Sequence, residues 1–95
     1  MIETRTFVVM APPSALADVE AHVRAGIPDG GPIRLIIVEP WADAGEETIQ
    51  VDVDVDVDRA DLDLVVAALM DKVKPLGFPV YTEAEYDALP EPSAA

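Results

Sequence analysis

Residues Val51 to Asp58 read VDVDVDVD. Side chains alternate across the two faces of a β-strand, so this run sends its valines one way and its aspartates the other. The apolar set extends back to Ile49 and comprises Ile49, Val51, Val53, Val55 and Val57. Burying a row of carboxylates costs far more than burying valines returns, so only one orientation is tolerable. The valines must face a core, and Asp52, Asp54 and Asp56 must face away from it. A one-residue slip would exchange the two sets, which fixes the register of a strand running from about Thr48 to Val57. The three aspartates then stand roughly 6.5–7 Å apart along one sheet face.

The remaining chain supplies elements for such a sheet. Thr4 to Met10, TRTFVVM, is β-branched and aromatic and reads as a first strand. Pro12 and Pro13 open a helix with Leu16, Val19, Val23 and Ile27 at helical spacing and Gly26 as its stop. A turn follows at Asp29-Gly30-Gly31-Pro32. Ile33 to Val38, IRLIIV, is a second strand, and Pro40 favours an edge position for its far end. After a turn at Ala44-Gly45 it forms a long hairpin with the aspartate strand. Leu62, Val65, Val66, Leu69, Met70, Val73 and Leu76 are the strongest helical pattern in the chain, and Gly77 ends it. Asp58 is the expected N-cap of that helix, with Asp61 and Asp63 in or near its first turn. Phe78 to Tyr81 makes a short fourth strand, and Thr82 with Glu85 forms a capping box for a last helical turn using Tyr86 and Leu89.

Strand, helix, strand, strand, helix, strand over Thr4 to Tyr81 resembles the ferredoxin-like fold. The resemblance implies an α+β domain with a four-stranded antiparallel sheet, the first and third strands central, two helices on one face and the other face open. Residues 1–89 are expected to form this domain and 90–95 a frayed tail. On the second strand, Trp41 shares parity with Ile33, Leu35 and Ile37 and is expected to fold over the end of the core. Ile36 and Val38 would then lie on the open face with Arg34.

Charge narrows the function. Nineteen acids against six bases give a net charge of −13. Ten of the acids, Glu39, Asp43, Glu46, Glu47, Asp52, Asp54, Asp56, Asp58, Asp61 and Asp63, fall between Glu39 and Asp63 with Arg59 as the one base. A field of this sign repels nucleic acid and anionic membrane and attracts basic proteins. There is no cysteine, which removes thiol chemistry and disulfides. Met1 leads into an alternating stretch without a signal-peptide pattern, and no apolar run approaches the roughly 20 residues of a membrane span. A cytoplasmic protein is expected.

Catalytic patterns are weak. His22 is the single histidine, beside the apolar stripe of the first helix, and Ser14 reads as a first-turn residue. Gly30-Gly31 lacks the spacing and lysine of a phosphate loop. Carboxylates spread along a strand do not converge as Ca²⁺ requires, and no D-x-D-x-D-G loop is present. The expectation is a non-enzymatic protein with no cofactor and no metal site.

Three readings of the acidic strand remain. In one it is a solvated face, with Arg5 and Arg34 pairing to it from neighbouring strands. In another, Asp52, Asp54 and Asp56, extended along the hairpin by Glu46, Glu47 and Asp43 and anchored by Trp41, form a partner-binding surface. Carboxylates at near-phosphate spacing would imitate a nucleic-acid backbone and occupy the basic groove of a DNA- or RNA-binding protein. In size, acidity and the VDVDVDVD strand the chain resembles the small nucleic-acid-mimic inhibitors of phages and mobile elements, of the anti-CRISPR and anti-restriction type. That resemblance implies an inhibitor with a protein partner. In the third reading, Ile36 and Val38 pair two copies into a homodimer, structural or binding a small ligand between subunits.

Overall fold

The computed structural model describes residues 1–27, 31–43 and 46–88, with the backbone alone at 42, 43 and 46. Its elements in chain order are β1 (Ile2–Val9), α1 (Leu16–Ala25), β2 (Ile33–Asp43), β3 (Glu46–Asp56), α2 (Leu62–Val73), β4 (Val80–Thr82) and α3 (Glu83–Asp87). The four strands form one antiparallel sheet in the order β2-β3-β1-β4. The protein is therefore α+β, with an open four-stranded antiparallel sheet and three α-helices among the described residues. The expected turn at residues 29–30 and at Ala44-Gly45, Leu89 and the tail 90–95 lie outside the described residues.

The alternation in β3 sets the layers. Ile49, Val51, Val53 and Val55 are fully buried, and across the ladder Phe7 stands opposite Val51 and Val9 opposite Ile49. Val19 and Val23 of α1, with Leu62, Val66, Leu69 and Val73 of α2, close over that face to complete the core. Each fully buried side chain of this kind contributes about 1.5–3 kcal/mol relative to exposure, so the valine row alone outweighs the poor strand propensity of aspartate.

Local chemistry sets the helix ends. One 3₁₀ turn, Pro13–Ala15, leads into α1, with proline where no amide partner is required. The N-cap of α2 is Asp61, whose side chain accepts from the backbone N–H of Asp63 and Leu64. Asp58, the residue expected there, sits three positions too early and pairs with the Met1 amine instead. A 3₁₀ turn, Lys74–Leu76, extends α2 to Gly77, which adopts φ 88° and so ends it. Thr82 and Glu85 form the full capping box at α3, each side chain bonding the other's backbone N–H at 3.1 Å.

The second strand departs from expectation in which side chains it buries. Ile36 is 4% exposed and belongs to the core, and Val38 packs against it, while Leu35, Ile37 and Trp41 are 50%, 40% and 49% exposed. The cause is a register shift between Ile33 and Leu35, where a bulge places Ile33 and Ile36 on the same face. Trp41 thus stands on the open face with Leu35 and Ile37 rather than over the core. The expected dimer strip is correspondingly turned to the helix side, Ile36 buried in the core and Val38 half-buried against it. Pro40 does lie on an edge strand, where its missing amide costs no ladder bond.

These two sets respond differently to truncation. Ile36→Ala should cost about 2–5 kcal/mol by denaturant unfolding, whereas Ile37→Ala should stay within about 0.5 kcal/mol, as at other surface positions. A larger cost at Ile37 than at Ile36 would mean that β2 presents the opposite face.

Candidate functional site

The sheet face away from α1 and α2 can be read row by row from the register. Asp54 lies between Leu35 on β2 and Thr4 on β1, and Asp52 lies between Ile37 and Thr6. One row further, Gln50 lies between Glu39 and Val8, and Val8 is followed by Tyr81 of β4. The aspartates therefore have threonines on one side and exposed apolar side chains on the other.

The threonines are donors to the carboxylates. Thr4 Oγ1 donates to Asp54 Oδ1 at 2.5 Å, and Thr6 Oγ1 donates to Asp52 Oδ1 at 2.6 Å. Asp56 has a stronger set of partners: Arg34 Nη2 at 3.0 Å, the backbone N–H of Asp58 at 3.2 Å and the Met1 amine at 3.7 Å. The Arg34 hydrogen bond is the main reason the Asp56 carboxyl is held below its ordinary value of 3.8, with the Asp58 N–H, the amine and the guanidinium charge adding to it against partial desolvation. Hydrogen bonding to Asp58 raises the Met1 amine above its ordinary value. Each of the three aspartates thus has a definite orientation. An ionised carboxylate offers about four acceptor sites, so Asp52 and Asp54 keep capacity for further donors.

Of the basic residues expected to balance this row, Arg34 does so and Arg5 does not. Arg5 stands opposite Val53, on the helix side of the sheet, and its Nη2 lies 3.7 Å from Asp63 of α2. Among the other expected site residues, Trp41 is exposed on the open face and accepts from Thr48 Oγ1 through its carbonyl at 3.1 Å. Glu47 is exposed near the hairpin end; Asp43 and Glu46 pair there through the backbone, and their side chains are not described. The site residues that sequence reasoning missed are Thr4, Thr6, Leu35 and Ile37. The TRT motif was the signal for the first two, since its threonines share one face and flank an arginine on the other.

Elsewhere the chemistry is sparse. His22 Nδ1 lies 2.9 Å from the Asp18 carbonyl on the exposed side of α1, a contact within one helix. No group of three or more His, Cys, Asp or Glu that could hold a metal ion occurs among the described residues. A cleft of about 450 Å³ between α2, α3 and β1 has Val66 and Met70 in its lining and Arg5, Asp63, Glu83 and Asp87 at its charged positions. No helix among the described residues is long and apolar enough to cross a membrane. Comparison with known proteins found no matching family model, no matching curated protein and no matching solved structure.

The partners of Asp56 give a pH dependence whose sign follows from linkage. A carboxyl whose pKa is lowered by folding binds fewer protons folded than unfolded, so its contribution is complete above the ordinary value of 3.8. It is lost as pH falls from there through the lowered value. The stability difference between wild type and Asp56→Asn should accordingly be constant near neutrality and shrink below that ordinary value. Thermal unfolding of both across an acid pH series measures it, and a difference that persisted unchanged into strong acid would rule out the ionised pair as its source.

Proposed function

We propose that this chain is a non-enzymatic, ferredoxin-like interaction domain that binds a basic protein surface through its open sheet face and hairpin. The element order and the strand order β2-β3-β1-β4, with β1 and β3 central, support the ferredoxin-like reading. The observation that carries the function is the row of Asp52, Asp54 and Asp56, held in place on the sheet face that neither α1 nor α2 covers. Charges fixed on a central strand cost little further ordering when a partner arrives, which favours binding over a loose acidic tail. The sharpest form of the proposal is an inhibitor that fills the basic groove of a DNA- or RNA-binding protein, its carboxylates taking the place of phosphates. Trp41 extends the same surface towards the hairpin end, whereas the exposed Glu47 shares the parity of Ile49 and Val51 and points to the other face of the sheet.

A second reading is favoured by the Thr4–Asp54, Thr6–Asp52 and Arg34–Asp56 bonds: the carboxylates have internal partners and serve as a soluble sheet face. Charge-neutral variants separate the two. In Asp52→Asn, Asp54→Asn, Asp56→Asn the amide oxygens still accept from Thr6, Thr4 and Arg34 respectively, so shape is kept while charge is removed. Immobilised wild type should retain a nucleic-acid-binding protein at low salt, release it as salt rises and lose it to added DNA. At about 0.2–1 kcal/mol per exposed pair, the triple variant should bind it about 3- to 160-fold more weakly. Capture of the same proteins by both versions, indifferent to DNA, would leave the acidic row as a solvated face.

A further inference from the structure

Leu35, Ile37 and Trp41 form an exposed apolar line along β2, interrupted by the exposed Glu39, immediately beside the aspartate row of β3. A nucleic-acid backbone has no counterpart to such a line, so pure charge mimicry leaves it unused. We propose that the open face seats a cationic amphipathic α-helix presented by the partner, lying along β2 and β3. This rests on the reading of the face as a binding surface for a basic protein and names the element it receives.

The spacings agree with a helix. Alternate strand residues are about 6.5–7 Å apart, and residues four apart on a helix rise about 6 Å, a mismatch that long lysine or arginine side chains absorb. Basic residues at i and i+4 therefore meet Asp52 and Asp54. The apolar line lies one strand away, about 4.8 Å, where the neighbouring helical stripe falls. From Leu35 to Trp41 the line runs about 20 Å, the length of a helix of about 13–14 residues.

Competing occupants fit less well. An added strand would have to pair with the outer edge of β2, where Arg24 Nη2 donates to the Ile36 carbonyl at 3.4 Å and Pro40 offers no amide. Its side chains would also lie one strand further from the aspartates. A second copy of the chain would set a charge of −13 against itself and bring aspartates towards aspartates. A basic helix is complementary to both rows at once.

Two synthetic peptides of one composition test this. The first orders lysines at i, i+4 and i+8 beside a leucine stripe, and the second shuffles the same residues so that no face forms. They are titrated by NMR into wild type, into Leu35→Ser/Ile37→Ser and into Asp52→Asn/Asp54→Asn. Both pairs of positions lie outside the core cluster, and matching unfolding curves verify that each variant folds. The ordered peptide should gain helicity, shift resonances of Leu35, Ile37, Trp41, Asp52 and Asp54, and bind about tenfold or more tightly than the shuffled one, a difference of about 1.4 kcal/mol. Each double variant should remove most of that preference. If both peptides bind alike at the aspartates, the acidic binding face stands and the helix proposal falls. If neither shifts these residues, both fall together.

Discussion

The two-sidedness of β3 is the constraint on which the rest of the structure depends. One face of this strand is Ile49, Val51, Val53 and Val55, all fully buried, and the other is Asp52, Asp54 and Asp56. No shift of register is available, because a slip by one would take the carboxylates under the helices. Lying second in the sheet order, β3 passes this demand to both neighbours. On one side it places Phe7 and Val9 opposite apolar partners and Thr4 and Thr6 opposite acids; on the other it places Ile36 inward and Leu35 and Ile37 outward. Core and acidic face are consequences of one pattern.

The cost of that pattern is met locally. Three like charges on alternate positions repel, and aspartate is a poor strand former. Each carboxylate nevertheless has a donor on an adjacent strand: Thr6 for Asp52, Thr4 for Asp54 and Arg34 for Asp56. Two of these donors are uncharged. They orient the carboxylates without neutralising them, so the face keeps its negative field while its geometry is fixed. A row of arginines on β1 would have cancelled that field, and the arginine present there, Arg5, instead faces α2.

Legibility in the sequence follows how distinct each pattern is. VDVDVDVD determines its own orientation, and the periodicity of α2, the Gly77 stop and the Thr82–Glu85 capping box each carry a local signal, so these elements agree with expectation. IRLIIV is almost uniformly apolar and carries no parity of its own. A bulge between Ile33 and Leu35 then decides which isoleucine is buried, and it depends on pairing with β3 rather than on residue type. The roles of Leu35 and Ile37 at the candidate site were illegible for that reason, and Trp41, expected as an anchor, was placed over the core for the same reason. The cap of α2 was misplaced because Asp58 and Asp61 are equally good capping residues, and the choice falls to where the chain leaves the sheet.

The mixed character of the open face bears on specificity more than on affinity. Acidic residues alone attract any basic partner over a distance set by salt, and a chain of charge −13 will do so over much of its surface. Discrimination requires a short-range term that a wrongly shaped partner cannot satisfy. Leu35, Ile37 and Trp41 supply one, since they gain from burial only under a surface that is itself apolar at the matching place. In the proposed binding mode the aspartates would act at long range to bring basic surfaces in, and the apolar line would select among them at contact. Both rows are carried on paired strands of one sheet, so their spacing is set by the fold itself.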